Sequence, residues 1–291
     1  MLGVPHGSPV EVFRVYSQTV RSEPSPEAPI LYHFWPSLCS QKVRLALAEK
    51  GVAYTSRLVN IGPPMENYEP WYARIHPGMV VPALQVGDEV ITDSARIVVE
   101  VDRRFPGPDL RHDDPRVQEL IALQDGLSIR ELGYAKRSGL LGFLSRGALD
   151  QRLRVLTERR DANPDLAPLY EARLADVRTW KDVTLSDDAL AARRAEVLDA
   201  LAALEAALEG ADDDAPGLVG AWSLADVVWT VVAARLRFMG FTPHMGPRTL
   251  RWYARAKARP TFEEAQVWER VRPTVMAPIV GQVLLKRLGM R

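Results

Sequence analysis

The chain has 291 residues, enough for about two domains, and 47% hydrophobic residues against 25% charged ones, the balance of an ordinary globular protein. Its 37 basic residues are matched by 37 acidic ones, which argues against a nucleic-acid partner. A single cysteine excludes an internal disulfide and is compatible with a cytoplasmic location.

Residues 1–28 hold Pro5, Pro9, Pro24 and Pro26 among polar residues and have no apolar core of signal-peptide length. They read as a flexible leader. Ile30-Leu31-Tyr32-His33-Phe34 is a short apolar and aromatic run that predicts a buried strand. Trp35-Pro36-Ser37-Leu38-Cys39-Ser40 then turns into a helix running from Ser40 to Lys50 and stopped by Gly51, with Ser40 expected to cap it. Tyr54 to Val59 alternates and predicts a second, parallel strand.

After a loop with Gly62, Pro63 and Pro64, the stretch Val80 to Val86 reads as an extended segment interrupted by Pro82. Gly87-Asp88 makes a tight hairpin to Glu89-Val90-Ile91. Asp93-Ser94 opens a helix to about Phe105, and Pro106-Gly107-Pro108 closes the unit. This order predicts an α/β thioredoxin-like domain over residues 29–108.

Everything from Asp113 to about residue 270 reads as an all-helical domain. Leu224 to Met239 is almost wholly apolar and belongs in a core, opened by Ser223 with Asp226 three residues on. Residues 271–291 form a tail. Its apolar stretch 275–285 is short and contains Pro278, so a segment packed on the body is expected rather than a membrane contact.

Three features of the first domain suit one peptide ligand. A cysteine at a helix start has free amides and the helix dipole to stabilise a thiolate. A cis peptide at Val81-Pro82 would leave the Val81 main chain free to pair with a peptide. Amides and a hydroxyl at Asp93-Ser94 suit a carboxylate, and Asp93 suits an ammonium group. Together they describe glutathione. His33, His76, His112 and His244 share no ligand-like spacing, so no metal is expected.

At these residues the chain resembles the cytosolic glutathione transferases, from about Ile30 to Trp268. The resemblance rests on Ser37-Leu38-Cys39-Ser40 with Lys42 and Arg44, on Val59-Asn60-Ile61-Gly62 leading to Glu66-Asn67-Tyr68-Glu69-Pro70, on Val80-Val81-Pro82, and on Ala225-Asp226-Val227-Val228-Trp229-Thr230. Within that family it looks most like the reductive dehalogenases of tetrachlorohydroquinone. The Ser37-to-Leu45 stretch is also similar to the ganglioside-induced differentiation-associated proteins. Residues from about Ser145 to Ser186 exceed the usual helix pair of the family, as they do in both of these relatives.

The resemblance implies a thioredoxin-like domain followed by an all-helical one, a homodimer, and glutathione as co-substrate. It implies that Ser37 donates to the glutathione sulfur, that Cys39 is a nucleophile, that Val81 and Pro82 hold the cysteinyl part, and that Asp93 and Ser94 hold the γ-glutamyl end. Trp35, Tyr134, Arg137 and Phe143 would line a pocket for a small aromatic or halogenated electrophile. The implied reaction is reductive dehalogenation or conjugation, with Cys39 passing through a mixed disulfide that a second glutathione resolves. A glutathione isomerase or β-ether-cleaving enzyme relying on Ser37 is the first alternative, and a non-catalytic interaction protein of the same fold is the second.

Overall fold

The computed structural model describes residues 28–134, 140–210, 212 and 214–269. Strand β1 (Ile30–His33) lies inside a four-stranded sheet, which suits its apolar sequence. Its neighbours are β2 (Thr55–Leu58), parallel, and β3 (Ala83–Val86), antiparallel, and β4 (Glu89–Thr92) closes the order β2-β1-β3-β4. Gly87 makes the β3–β4 turn at φ 59°, a conformation that suits glycine.

Helix α1 (Leu38–Glu49) starts two residues earlier than its apolar pattern suggests, because Ser37 is its N-cap and accepts the Ser40 amide. Ser40 is therefore not the cap. Its hydroxyl accepts the Phe34 amide at 3.3 Å and ties the helix to the end of β1. Gly51, at φ 67°, ends the helix as expected. A short α2 (Pro70–Ile75) follows β2, and α3 (Ser94–Arg104) follows β4. The extended segment read from Val80 is ladder-paired only from Ala83, since Pro82 has no amide to give.

The remaining described elements are helical, as expected. They are α4 (Pro115–Asp125), α5 (Arg130–Tyr134), α6 (Leu140–Ala162), α7 (Ala167–Leu185), α8 (Asp187–Ala207), α9 (Leu224–Phe238), α10 (Pro247–Ala258) and α11 (Pro260–Glu264). Helix α9 is buried along nearly its whole length and opens with a complete capping box between Ser223 and Asp226. The long helical stretch read from about Ser145 to Ser186 forms the hairpin α6–α7. It packs on the β2–α2 connection: Arg152 donates to Tyr68 and to the Ile61 carbonyl, and the Tyr170 hydroxyl donates to the Tyr68 carbonyl. One hydrophobic core runs from Leu31, Leu45 and Val98 through Val117 and Leu201 to Val228 and Trp252, so sheet and helices share an interior. Among the described residues no helix is long and apolar enough to cross a membrane. The tail stretch 275–285 lies outside them.

Candidate active site

The sheet register brings the three predicted segments to one end of the domain. Tyr32, Ala83 and Thr92 sit side by side on β1, β3 and β4. The chain leaves β1 just beyond Tyr32 towards Ser37, enters β3 through Val81-Pro82, and leaves β4 at Asp93.

At the mouth of α1 both Ser37 and Cys39 are partly exposed, and Cys39 is a free thiol. Capping the Ser40 amide uses an oxygen lone pair of Ser37, so its hydroxyl proton stays available to a ligand. The Val81–Pro82 peptide is cis. Val81 lies outside the ladder, and the Tyr72 hydroxyl holds the neighbouring Val80 carbonyl at 2.6 Å. Asp93 is the N-cap of α3 at φ 73°, an unusual conformation for a residue with a side chain. Its Oδ1 accepts the Ala95 and Arg96 amides at 2.9 and 3.1 Å, and among the described residues no donor meets Oδ2. Ser94 follows as the first residue of α3.

Trp35 lies just before the turn. It is only 7% exposed and packs against Trp268. The Arg44 guanidinium lies 4.8 Å from its ring centroid and the His33 ring is edge-on at 4.8 Å. Large aromatic surface is most favourable when buried, and a partner from the far end of the chain buries it. Trp35 therefore braces the turn from behind. Arg137 lies outside the described residues, and Tyr134 and Phe143 are described by their backbone alone, in α5 and α6.

The structure adds contacts that pattern alone did not assign. Lys42, one turn beyond Cys39, is buried; it donates to Gln124 and sits 3.8 Å from Asp125 at the end of α4. Burial pushes the Asp125 carboxyl above the usual range, with Lys42 opposing and the Asp93 charge adding to the rise. A lysine at i+3 from the cysteine was the available signal, but its partner is 83 positions away. His33, beneath the turn, is held neutral by burial and by the Arg44 charge, and it accepts from Arg44 at Nδ1. Among the described residues no cluster suited to a metal ion is present.

Residues 36–104 match the family model for the glutathione S-transferase N-terminal domain. Tetrachloro-p-hydroquinone reductive dehalogenase of Sphingobium chlorophenolicum is 33% identical over 242 residues, 81% of this chain and 95% of its own length. The chain belongs to the glutathione transferase family. This glutathione transferase is also 30% identical over 215 residues to the Arabidopsis thaliana glutathione S-transferase TCHQD, covering 72% of this chain and 77% of that one. A shorter match, 42% identical over 81 residues, links it to human ganglioside-induced differentiation-associated protein 1-like 1, covering 28% of this chain and 22% of that one. Among solved structures, the β-etherase LigF from Sphingobium sp. strain SYK-6 superposes with a TM-score of 0.62 at 24% identity, over 82% of this chain and 98% of its own. That likeness establishes the thioredoxin-like and helical architecture of this transferase.

Proposed function

We propose that the protein is a glutathione-dependent enzyme that reductively dehalogenates, or conjugates, small aromatic or quinone electrophiles. The observation that supports this reading best is that a hydroxyl with a free proton, Ser37, and a free thiol, Cys39, share the partly exposed first turn of α1.

In this reading Ser37 donates its proton to the glutathione sulfur. The helix amides add positive potential, so the thiolate persists at neutral pH. Val81 pairs through its main chain with the cysteinyl part, while Ser94 and the start of α3 take the γ-glutamyl carboxylate. Asp93 Oδ2 takes the ammonium group. The bound thiolate bonds to the electrophilic carbon, and a halide leaves with the bonding pair. Cys39 thiolate then attacks the sulfur of that adduct. The carbon–sulfur bond breaks, the aromatic carbon takes the electron pair and a proton, and Cys39 is left in a disulfide with glutathione. A second glutathione thiolate releases Cys39 and departs as oxidised glutathione. The likeness to the tetrachloro-p-hydroquinone enzyme supports this choice of electrophile. The reading includes a cytoplasmic homodimer, as the family resemblance implies.

The test is incubation with glutathione and a chlorinated hydroquinone, followed by intact mass and peptide mapping. The expected result is a glutathionyl adduct on Cys39. The variant Cys39→Ser should accumulate the glutathionyl hydroquinone in place of the reduced product. Full reductive turnover by Cys39→Ser would remove the mixed disulfide from the mechanism and favour chemistry resting on Ser37 alone, isomerisation or ether cleavage.

A further inference from the structure

The carbonyls that precede the α1 mouth are held by buried side chains. The Gln41 Nε2 donates to the Trp35 and Pro36 carbonyls at 3.4 and 3.3 Å. Arg44 donates to the Trp35 carbonyl at 3.2 Å, and Arg235, from α9, donates to the Pro36 carbonyl at 2.6 Å. Gln41 and Arg44 are each 1% exposed, so these carbonyl oxygens point into the protein. This matters for an anion at the mouth. Carbonyl oxygens are the negative ends of peptide dipoles, and one turned outward would oppose a thiolate that the helix amides favour.

Gln41 has a second attachment. Its Oε1 accepts the Trp268 amide at 2.9 Å. The segment Ala265–Glu269 is itself fixed to the same place: Arg44 donates to the Ala265 carbonyl at 2.9 Å, and Trp268 packs on Trp35. At its far end Glu269 accepts from Tyr253 and pairs with Lys257 and Arg237. A single carboxamide thus spans the catalytic turn and a segment 227 residues away.

We infer that Gln41 is a positioning residue for the thiolate site, and that the Ala265–Glu269 segment is a strap that holds the Ser37 turn through it. The strap keeps two carbonyl dipoles turned inward, away from the mouth that the Ser37 hydroxyl, the helix amides and Cys39 share. This inference rests on the proposed reading that the mouth holds a glutathione thiolate.

The test compares wild type with Gln41→Met, which has similar volume and no donor or acceptor of comparable strength. Trp268→Ala is the second variant, because it loosens the strap and leaves Gln41 in place. Without glutathione, hydrogen exchange in a peptide covering residues 34–41 should quicken by about fivefold or more, while residues 224–238 stay unchanged as a measure of global folding. With glutathione, the thiolate absorbance of the bound cofactor is followed against pH. Its titration should move up by about one pH unit in Gln41→Met and by a smaller amount in Trp268→Ala. A merely structural contact would quicken exchange and leave that titration in place, and this result overturns the inference. Unchanged exchange at 34–41 also overturns it. Absence of any thiolate in wild type is a different failure: it removes the glutathione reading, and the role of Gln41 with it.

Discussion

His76, at the end of α2, has two ring nitrogens in unequal surroundings. Nδ1 accepts the Gly78 amide at 3.1 Å, whereas Nε2 is buried and meets no partner among the described residues. Burial, reinforced by the Arg173 charge, lowers its pKa from the ordinary 6.5 to about 4. The folded state therefore keeps His76 neutral over a range where the unfolded chain binds a proton. The stability this provides is complete above pH 6.5 and is lost as the pH falls towards about 4. The expected slope is roughly 1 kcal/mol per pH unit within that window. His76→Asn keeps an acceptor for Gly78 and removes the titration. Urea midpoints at pH 7 and pH 4.5 should lie closer together in the variant, and equal acid sensitivity in both proteins would show that the ring is not held neutral. Residues whose role is local were legible in the sequence. Asp93 and Ser223 each cap the helix they precede, because capping depends on a few adjacent positions, whereas α1 takes its cap at Ser37 and not at the expected Ser40. Trp35 was not legible, since Trp268, far along the chain, decides its environment.

Among the elements, the α6–α7 hairpin shows the same division. Its helical pattern and extra length are visible in the sequence, but its docking place is not, because that depends on single long-range contacts. The main one is Arg152, buried on α6, which donates to the Tyr68 hydroxyl at 3.2 Å and the Ile61 carbonyl at 2.8 Å, with Trp180 stacked at 5.5 Å. Burial alone would raise the Tyr68 phenol, but the charges and hydrogen bonds of Arg152 and Arg173 outweigh it and hold it below the usual tyrosine range. Apolar packing of Met65, Met79, Leu149, Leu174 and Val177 completes the seam. Replacing Arg152 by Leu removes one of the two arginine donors to the buried Tyr68 phenol and the donor to the partly buried Ile61 carbonyl. The expected cost is about 2–4 kcal/mol in chemical unfolding. Hydrogen exchange should quicken together in residues 149–177 and 60–68, because the two surfaces separate as one. A loss below about 0.5 kcal/mol would mean that packing alone docks the hairpin.

For the whole molecule, the sequence divides the chain at residues 108–113, and the structure shows how strongly that division is bridged. Lys50, at the end of α1, donates to the Asp102 carboxylate at 2.8 Å and to the Pro108 carbonyl at 2.9 Å. The same carboxylate accepts from His112 at 2.8 Å and from the Leu110 amide at 3.1 Å. Burial would raise the Asp102 carboxyl, yet these hydrogen bonds outweigh it and keep it below the usual range. Gly107 passes so close to Lys50 that a Cβ there would stand 2.5 Å from the Lys50 carbonyl oxygen, so only glycine fits the connection. Beneath this knot the hydrophobic core crosses from the sheet to α9 and α10 without a break. Two domains with one interior and a buried ionic joint should unfold together. Calorimetry is expected to show a single transition, and residues 28–108 expressed alone should not fold, because the face of α1 that packs on α9 and α11 would be bare. Asp102→Asn removes the countercharge of a buried lysine and should cost about 3–5 kcal/mol. It should lower the transition temperature without splitting the transition, since the shared core remains. Two resolved transitions in the wild type would mean that the joint and not the core couples the halves, and Asp102→Asn would then move the two transitions further apart.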